Sequence, residues 1–287
     1  MINKDVWDKN RGGRKTRSAI GVFLTGLCAS LAALALLAVL GYVIYQGARA
    51  VNPAFLTQLP KPVGETGGGV ANGIVGSLIT VALATLIATP LGVLTGIFLA
   101  LFGRGMVAES VRFLSDVLSG IPSIAIGLFA YTLLVAPFKH FSGVSASVAF
   151  AVLMLPLIIR TSEEAVRSVP QTIREGALAL GMSVYRSTMQ VIVPAARPAI
   201  ITGLLLSIAR VAGETAPLLF TAFGSPFWTV NPTQPMAQLP LQIFNYAISP
   251  YEDWHRQAWG GAMILILAVL VLNITARFVF AAPKNRQ

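Results

Sequence analysis

The sequence predicts an all-α integral membrane protein with six transmembrane helices. Three observations predict it. Hydrophobic residues make up 55% of the chain and charged residues 11%, with a mean hydropathy of +0.73, whereas a soluble domain carries about a quarter charged residues. Six apolar segments, at about 19–45, 71–101, 113–136, 144–160, 198–223 and 258–282, each approach the ~20 residues a helix needs to cross the hydrocarbon core. The basic residues also alternate by side. With both termini cytoplasmic, sixteen of the 21 Lys and Arg fall in inside segments, and Arg49, Lys61, Lys139 and Arg256 fall outside. This is the bias of the positive-inside rule, and an odd number of spans would scramble it.

The same composition excludes other classes. A net charge of +10 would suit nucleic acid if it formed one basic face on a folded domain; here it is scattered between hydrophobic spans, so no nucleic acid is expected. Cys28 lies alone in an apolar run, and His140 and His255 are far apart in the chain. They make neither a disulfide framework nor a metal site, and no cofactor is expected. The run Gly12-Gly13-Arg14-Lys15-Thr16 lacks the GxxxxGK[ST] spacing of a Walker A loop and precedes a membrane span rather than following a strand. The chain therefore reads as a non-enzyme with no ATPase site of its own.

Taken in order, residues 1–18 form a basic cytoplasmic tail, and the first span follows at 19–45. Its apolar stretch is far longer than the ~7–15 residues of a signal peptide, so it reads as an uncleaved helix. An external linker, 46–70, ends in Gly67-Gly68-Gly69, which reads as a flexible joint. A core of five spans occupies 71–282, and a short cytoplasmic tail 283–287 closes the chain. The second span contains Pro90, which favours a tilt or kink. Ala84, Ala88, Gly92, Gly96 and Ala100 recur along it every four residues, a small-residue stripe that lets another helix approach closely. Gly120, Pro122 and Gly127 interrupt the third span.

Between the fourth and fifth spans, residues 161–197 are too polar to cross a membrane yet carry helix signals. Ser168 with Gln171 forms a capping box, Pro170 suits a first turn and Gly181 suits a stop. A second helix is expected from near Ser183 to just before Pro194. Ile173, Ala177 and Leu180 share one face of the first, so the pair could dock into a groove on a partner or lie on the membrane lipid surface.

The fifth span holds an arginine in SIARVAGETAP, residues 207–217, with Glu214 four residues beyond Arg210. An arginine near the bilayer centre costs at least ~2.5 kcal/mol, so such a residue faces a bundle interior or a watered path. Its planar, permanently charged fork suits oxyanions. Glu214, one turn along the same face, can hold Arg210 and neutralise it when no anion is present. The pair could instead be permanent, or each member could bind a partner subunit, serving only helix packing. The final external loop, 224–257, is rich in proline, tryptophan and tyrosine, with a short helix expected near 236–248 lying at the membrane interface. It reads as a dock for another protein or as an aromatic anchor.

The residues Glu175-Gly176-Ala177, then Gly181, then Val191-Ile192-Val193-Pro194 resemble the EAA loop of ABC importer permeases, EAA-x3-G-x9-I-x-L-P. Gly176, Val191 and Val193 depart from it, and Gly176 weakens the helix by about 1 kcal/mol relative to Ala. Three further stretches, 119–131, 210–220 and 235–245, resemble the PstA-type permeases of phosphate ABC transporters, a likeness that covers nearly all the chain after about residue 70. The resemblance implies a type I importer, MetI-like, fold in a bacterial inner membrane. It also implies pairing with a PstC-type permease, a dimer of ATP-binding subunits contacted through Glu175, Gly176, Ala177, Gly181 and Pro194, and an extracytoplasmic phosphate-binding protein. Arg210 and Glu214 would then lie on the path of inorganic phosphate. A permease for sulfate or molybdate would share this architecture. A secondary carrier should show an internal repeat and more intramembrane acids.

Overall fold

The computed structural model describes residues 4–280, with side chains placed for Lys15 and for residues 17–275. The predicted tail 283–287 lies outside the described residues, as do the side chains of the basic residues at 4–14 and of Arg277. Among the described residues regular structure is helical, apart from one isolated β-bridge between Pro60 and Gly68. Five helices are long and apolar enough to cross a membrane, and one bent pair makes a sixth span when counted together.

The first helix, α1 (Lys4–Gly47), stands apart from the bundle for most of its length. It meets the last helix, α11 (Glu252–Phe280), only near its own C-terminal end, where Tyr42 packs edge-on to Trp259 with ring centroids 5.2 Å apart. The linker is not the flexible joint its glycines suggest. After the short α2 (Pro53–Thr57), Gly67 and Gly68 take φ of +85° and +91°, and a Cβ on Gly69 would lie 2.4 Å from the Phe55 carbonyl oxygen. The Gly67 N–H donates to Asp253 and its carbonyl accepts from Gln257. These glycines supply positive φ and close backbone approach.

The second span, α3 (Ala71–Leu101), covers the residues predicted for it and carries Pro90 inside. Its small-residue stripe packs against α6 (Gly143–Arg167): a Cβ on Gly92 would lie 2.6 Å from Ile158 Cγ2, and one on Gly96 2.5 Å from Ser162 Cβ. No larger residue fits without forcing the helices apart. Around this contact Ala84, Ala88, Phe150, Met154, Ile158, Val211 and Leu218 form the buried core. The fourth span is longer than the predicted 144–160, because α6 continues to Arg167. Arg160 pairs with Glu164, and Glu163 with Arg167, one turn apart, which sustains the helix beyond its apolar part.

The third span, expected at 113–136 with interruptions at Gly120, Pro122 and Gly127, is two helices, α4 (Met106–Gly120) and α5 (Ser123–Phe138), bent by 104°. Pro122 is the cause. Its ring disfavours α geometry in the preceding residue, and Ile121 is extended at ψ 131°. Two other prolines are absorbed differently. π turns at Tyr131–Val135 and Thr188–Ile192 end two residues before Pro137 and Pro194, where the wider turn relieves the clash of the ring with the carbonyl four residues back. The second helix of the polar segment therefore does not stop before Pro194. It runs on as α8 (Val184–Ala212), joining that segment to the fifth span without a break.

The fifth span corrects the prediction again. α8 ends at Ala212, and residues 213–217 turn before the single-turn helix α9 (Leu218–Thr221). The last loop folds back into the molecule. Val144 and Gly143 at the start of α6 donate to the Pro232 and Gln234 carbonyls, satisfying amides that a helix leaves open. The expected short helix is α10 (Leu239–Ala247), and one face of it is built into the molecule: Met236, Gln238, Leu239, Leu241 and Tyr246 are each less than a tenth exposed, while Phe244, Asn245 and Ala247 stay exposed. Thr80 donates to Gln238, the Leu239 N–H donates to Ser77, and a Cβ on Gly76 would lie 1.9 Å from the Ala237 carbonyl oxygen. Close packing on α3 fixes the position of this helix in the molecule.

Candidate translocation and coupling sites

The two interrupted helices meet. At the bend between α4 and α5, the Ser123 hydroxyl donates to Glu214 Oε1 at 2.7 Å, across 91 residues of sequence. Four residues along α5, a Cβ on Gly127 would lie 2.6 Å from Pro217 Cα, so α5 rests directly on the backbone of the turn that follows α8. The stretches 119–131 and 210–220, separate in sequence, form one junction.

Arg210 sits in the last turn of α8, where its positive charge complements the negative end of the helix dipole. It is exposed on this subunit and, among the described residues, makes neither an ion pair nor a hydrogen bond. The expected same-face pairing with Glu214 does not form, because the helix ends at Ala212 and carries Glu214 into the turn. A concavity of about 1,050 Å³ between α3, α8 and α11 is lined by Leu78, Leu86, Leu204, Ile208, Leu265 and other uncharged residues. It offers an anion no positive charge, and the candidate path is the Arg210 surface rather than this groove.

The polar segment forms the second site. α7 (Gln171–Ala179) begins after Pro170, and the predicted capping box is absent: Ser168 donates back to the Ala165 carbonyl, while Gln171 donates to Glu175. Pro170 occupies the N-cap position with ψ 135°, which moves Ser168 onto the end of α6. The C-terminus is as the sequence suggests. Gly181, at φ +81°, donates to the Leu178 carbonyl and Met182 to that of Ala177, a Schellman closure. Of the predicted apolar face, Ala177 is buried, whereas Ile173 is 41% and Leu180 86% exposed. With Tyr185 and Met189 they form an apolar knob around the turn. Glu175, Gly176 and Pro194 are exposed, and nothing lies within 4 Å of a Cβ on Gly176.

A charge cluster escaped the sequence reading, which counted its arginines only for orientation. Glu163 Oε1 accepts from Arg112 Nε at 2.9 Å and Arg167 Nη2 at 2.7 Å, and Arg160 pairs with Asp116. Arg112 also donates to the carbonyls of Leu99 and Gly103, closing the C-terminus of α3. The spacing of Glu163 and Arg167 was a readable signal. Arg112, 51 residues away, left none.

The family model for binding-protein-dependent transport system inner membrane components matches residues 92–286. Over 278 residues, 96% of this chain and 94% of the relative, the sequence is 41% identical to the phosphate transport system permease protein PstA of Yersinia pestis. It is 41% identical over 272 residues to PstA of Haemophilus influenzae, covering 94% of this chain and 96% of that one. A probable PstA from Methanocaldococcus jannaschii is 32% identical over 94% of this chain and 96% of its own length. Among solved structures, a chain of the MetNI methionine ABC transporter in an inward-facing conformation superposes with a TM-score of 0.58 at 17% identity, covering 74% of this chain and 93% of that one; this likeness concerns the fold. The chain belongs to the family of binding-protein-dependent transport system inner membrane components, in its PstA-type branch.

Proposed function

We propose that this chain is the transmembrane permease subunit of an ATP-driven importer of inorganic phosphate, forming half of the translocation pathway. The observation that carries the reading is Arg210: a guanidinium exposed on this subunit, with no anionic partner among the described residues, beside two helix breaks. Such a group in a membrane span is functional by default, and its fork matches two phosphate oxygens at once. The relatives, named as phosphate transport permeases over almost their full length, support this cargo. Glu214 lies on the same path, at the junction with α5.

In this reading both termini are cytoplasmic, the knob of α7 and the start of α8 projects into a cleft of the ATP-binding subunit, and the α10 loop faces the binding protein. A PstC-type permease supplies the other half of the pathway, and two copies of the ATPase subunit complete the assembly. Continuity of α8 from the knob to Arg210 supports this coupling, since movement at one end of a helix displaces the other. The chain supplies no hydrolysis. It binds, orients and releases the anion.

The test is uptake of labelled phosphate at low concentration by cells lacking this gene, carrying either the native chain or Arg210→Gln, with sulfate and molybdate as competitors. The native chain restores uptake that neither competitor suppresses. Arg210→Gln lowers it about 10- to 100-fold, as expected for loss of a charge-assisted contact, while the complex still co-purifies. Loss of assembly would assign Arg210 to packing, and full competition by sulfate would assign a different oxyanion.

A further inference from the structure

Among the described residues Arg210 has no partner, because the nearest acidic residue in sequence, Glu214, is held elsewhere. The helix ends between them, and the Glu214 carboxylate accepts from Ser123 Oγ at the start of α5. That end of α5 has no side-chain cap, since Pro122 occupies the N-cap. Its open N–H groups and positive dipole end favour an anion there. The junction is also fixed at the backbone, because Gly127 lies too close to Pro217 to admit a Cβ. Ser123 and Glu214 are therefore brought together by the packing of α5 on the 213–217 turn, not by chance contact of two mobile surface groups.

We infer that Ser123 is a positioning residue: its hydroxyl holds the Glu214 carboxylate against α5 and thereby keeps it off Arg210, leaving the guanidinium open to the transported anion. This rests on the reading of Arg210 as an anion contact. Glu214 is tethered four residues from Arg210, so a released carboxylate would face it at a high effective concentration. It would then compete with phosphate for the same fork. The hydroxyl prevents this by making an alternative hydrogen bond to the charged group.

The experiment is a suppression test in intact cells, with each variant's membrane abundance and co-purifying ATPase subunit measured. Ser123→Ala lowers phosphate uptake at low phosphate concentration about tenfold, the scale of one lost hydrogen bond to a charged group, and Ser123→Thr, which keeps the hydroxyl, retains it. Adding Glu214→Gln to Ser123→Ala raises uptake above that of Ser123→Ala alone, since the competitor is neutralised. A double variant no better than Ser123→Ala, or Ser123→Ala with undiminished uptake, overturns the inference. Arg210→Gln is measured alongside. If it is inactive while suppression fails, only the role of Ser123 falls; if it transports normally, the phosphate-contact reading falls with it.

Discussion

Glu163 is the residue on which the charge cluster turns. Its side chain is 11% exposed and accepts from two arginines that are 30% and 55% exposed. Replacing it leaves two guanidinium groups facing each other across a neutral or empty site. The partial exposure of both arginines discounts the cost to about 1–3 kcal/mol. Glu163→Gln should therefore lower the thermal unfolding midpoint of the purified complex, and an unchanged midpoint would show that solvent already screens the cluster. Arg112 should be the more sensitive of the two partners, because it also closes the end of α3. At this scale sequence marked Arg210 as a charge in an otherwise apolar run but did not reveal its setting. The periodicity that placed Glu214 beside it assumed a helix that stops two residues short, at Ala212.

Among elements, the contact of α3 with α6 is a tight constraint. A Cβ on Gly96 would meet Ser162 Cβ at 2.5 Å and the Ile159 carbonyl oxygen at 2.7 Å, and backbone on the far side cannot yield. Gly96→Val should cost at least about 2 kcal/mol through overpacking and reduce the amount of folded chain in the membrane; normal abundance would mean that α6 can move away. The small-residue stripe was legible because close helix approach requires small side chains every four residues. The bend at Pro122 was legible as an interruption but not as a 104° turn, since proline states where a helix breaks while neighbouring elements decide the new direction. Pro194 shows the converse, a breaker absorbed by a π turn in a helix that continues.

For the whole molecule, the part of the knob formed by Tyr185 and Met189 and the Arg210 end lie on one helix, α8, reaching from Val184 to Ala212. Leu180, 86% exposed at the tip of the knob, contributes little to the fold of this chain. Leu180→Asp should leave its membrane abundance within about 0.5 kcal/mol of native stability, as for surface substitutions. It should also strip the ATPase subunit from the purified complex and abolish phosphate uptake. Retained ATPase with normal uptake would place the docking surface elsewhere. The long exposed flank of α1 and the apolar groove between α3, α8 and α11 are the surfaces expected of a chain surrounded by lipid and other subunits.

Sequence by itself determined that the chain is a bundle of membrane helices, where most of them run, and that α7 closes at Gly181. Each of these follows from local chemistry: an apolar run in lipid satisfies its backbone only by coiling on itself, and a glycine takes the left-handed turn at no steric cost. Tertiary structure alone decided that Ser123 meets Glu214, that Arg112 meets Glu163, that one face of α10 is buried and that the glycine linker is packed. These outcomes depend on groups tens of residues apart competing for the same hydrogen bonds and the same space, and neither periodicity nor composition encodes which of them wins.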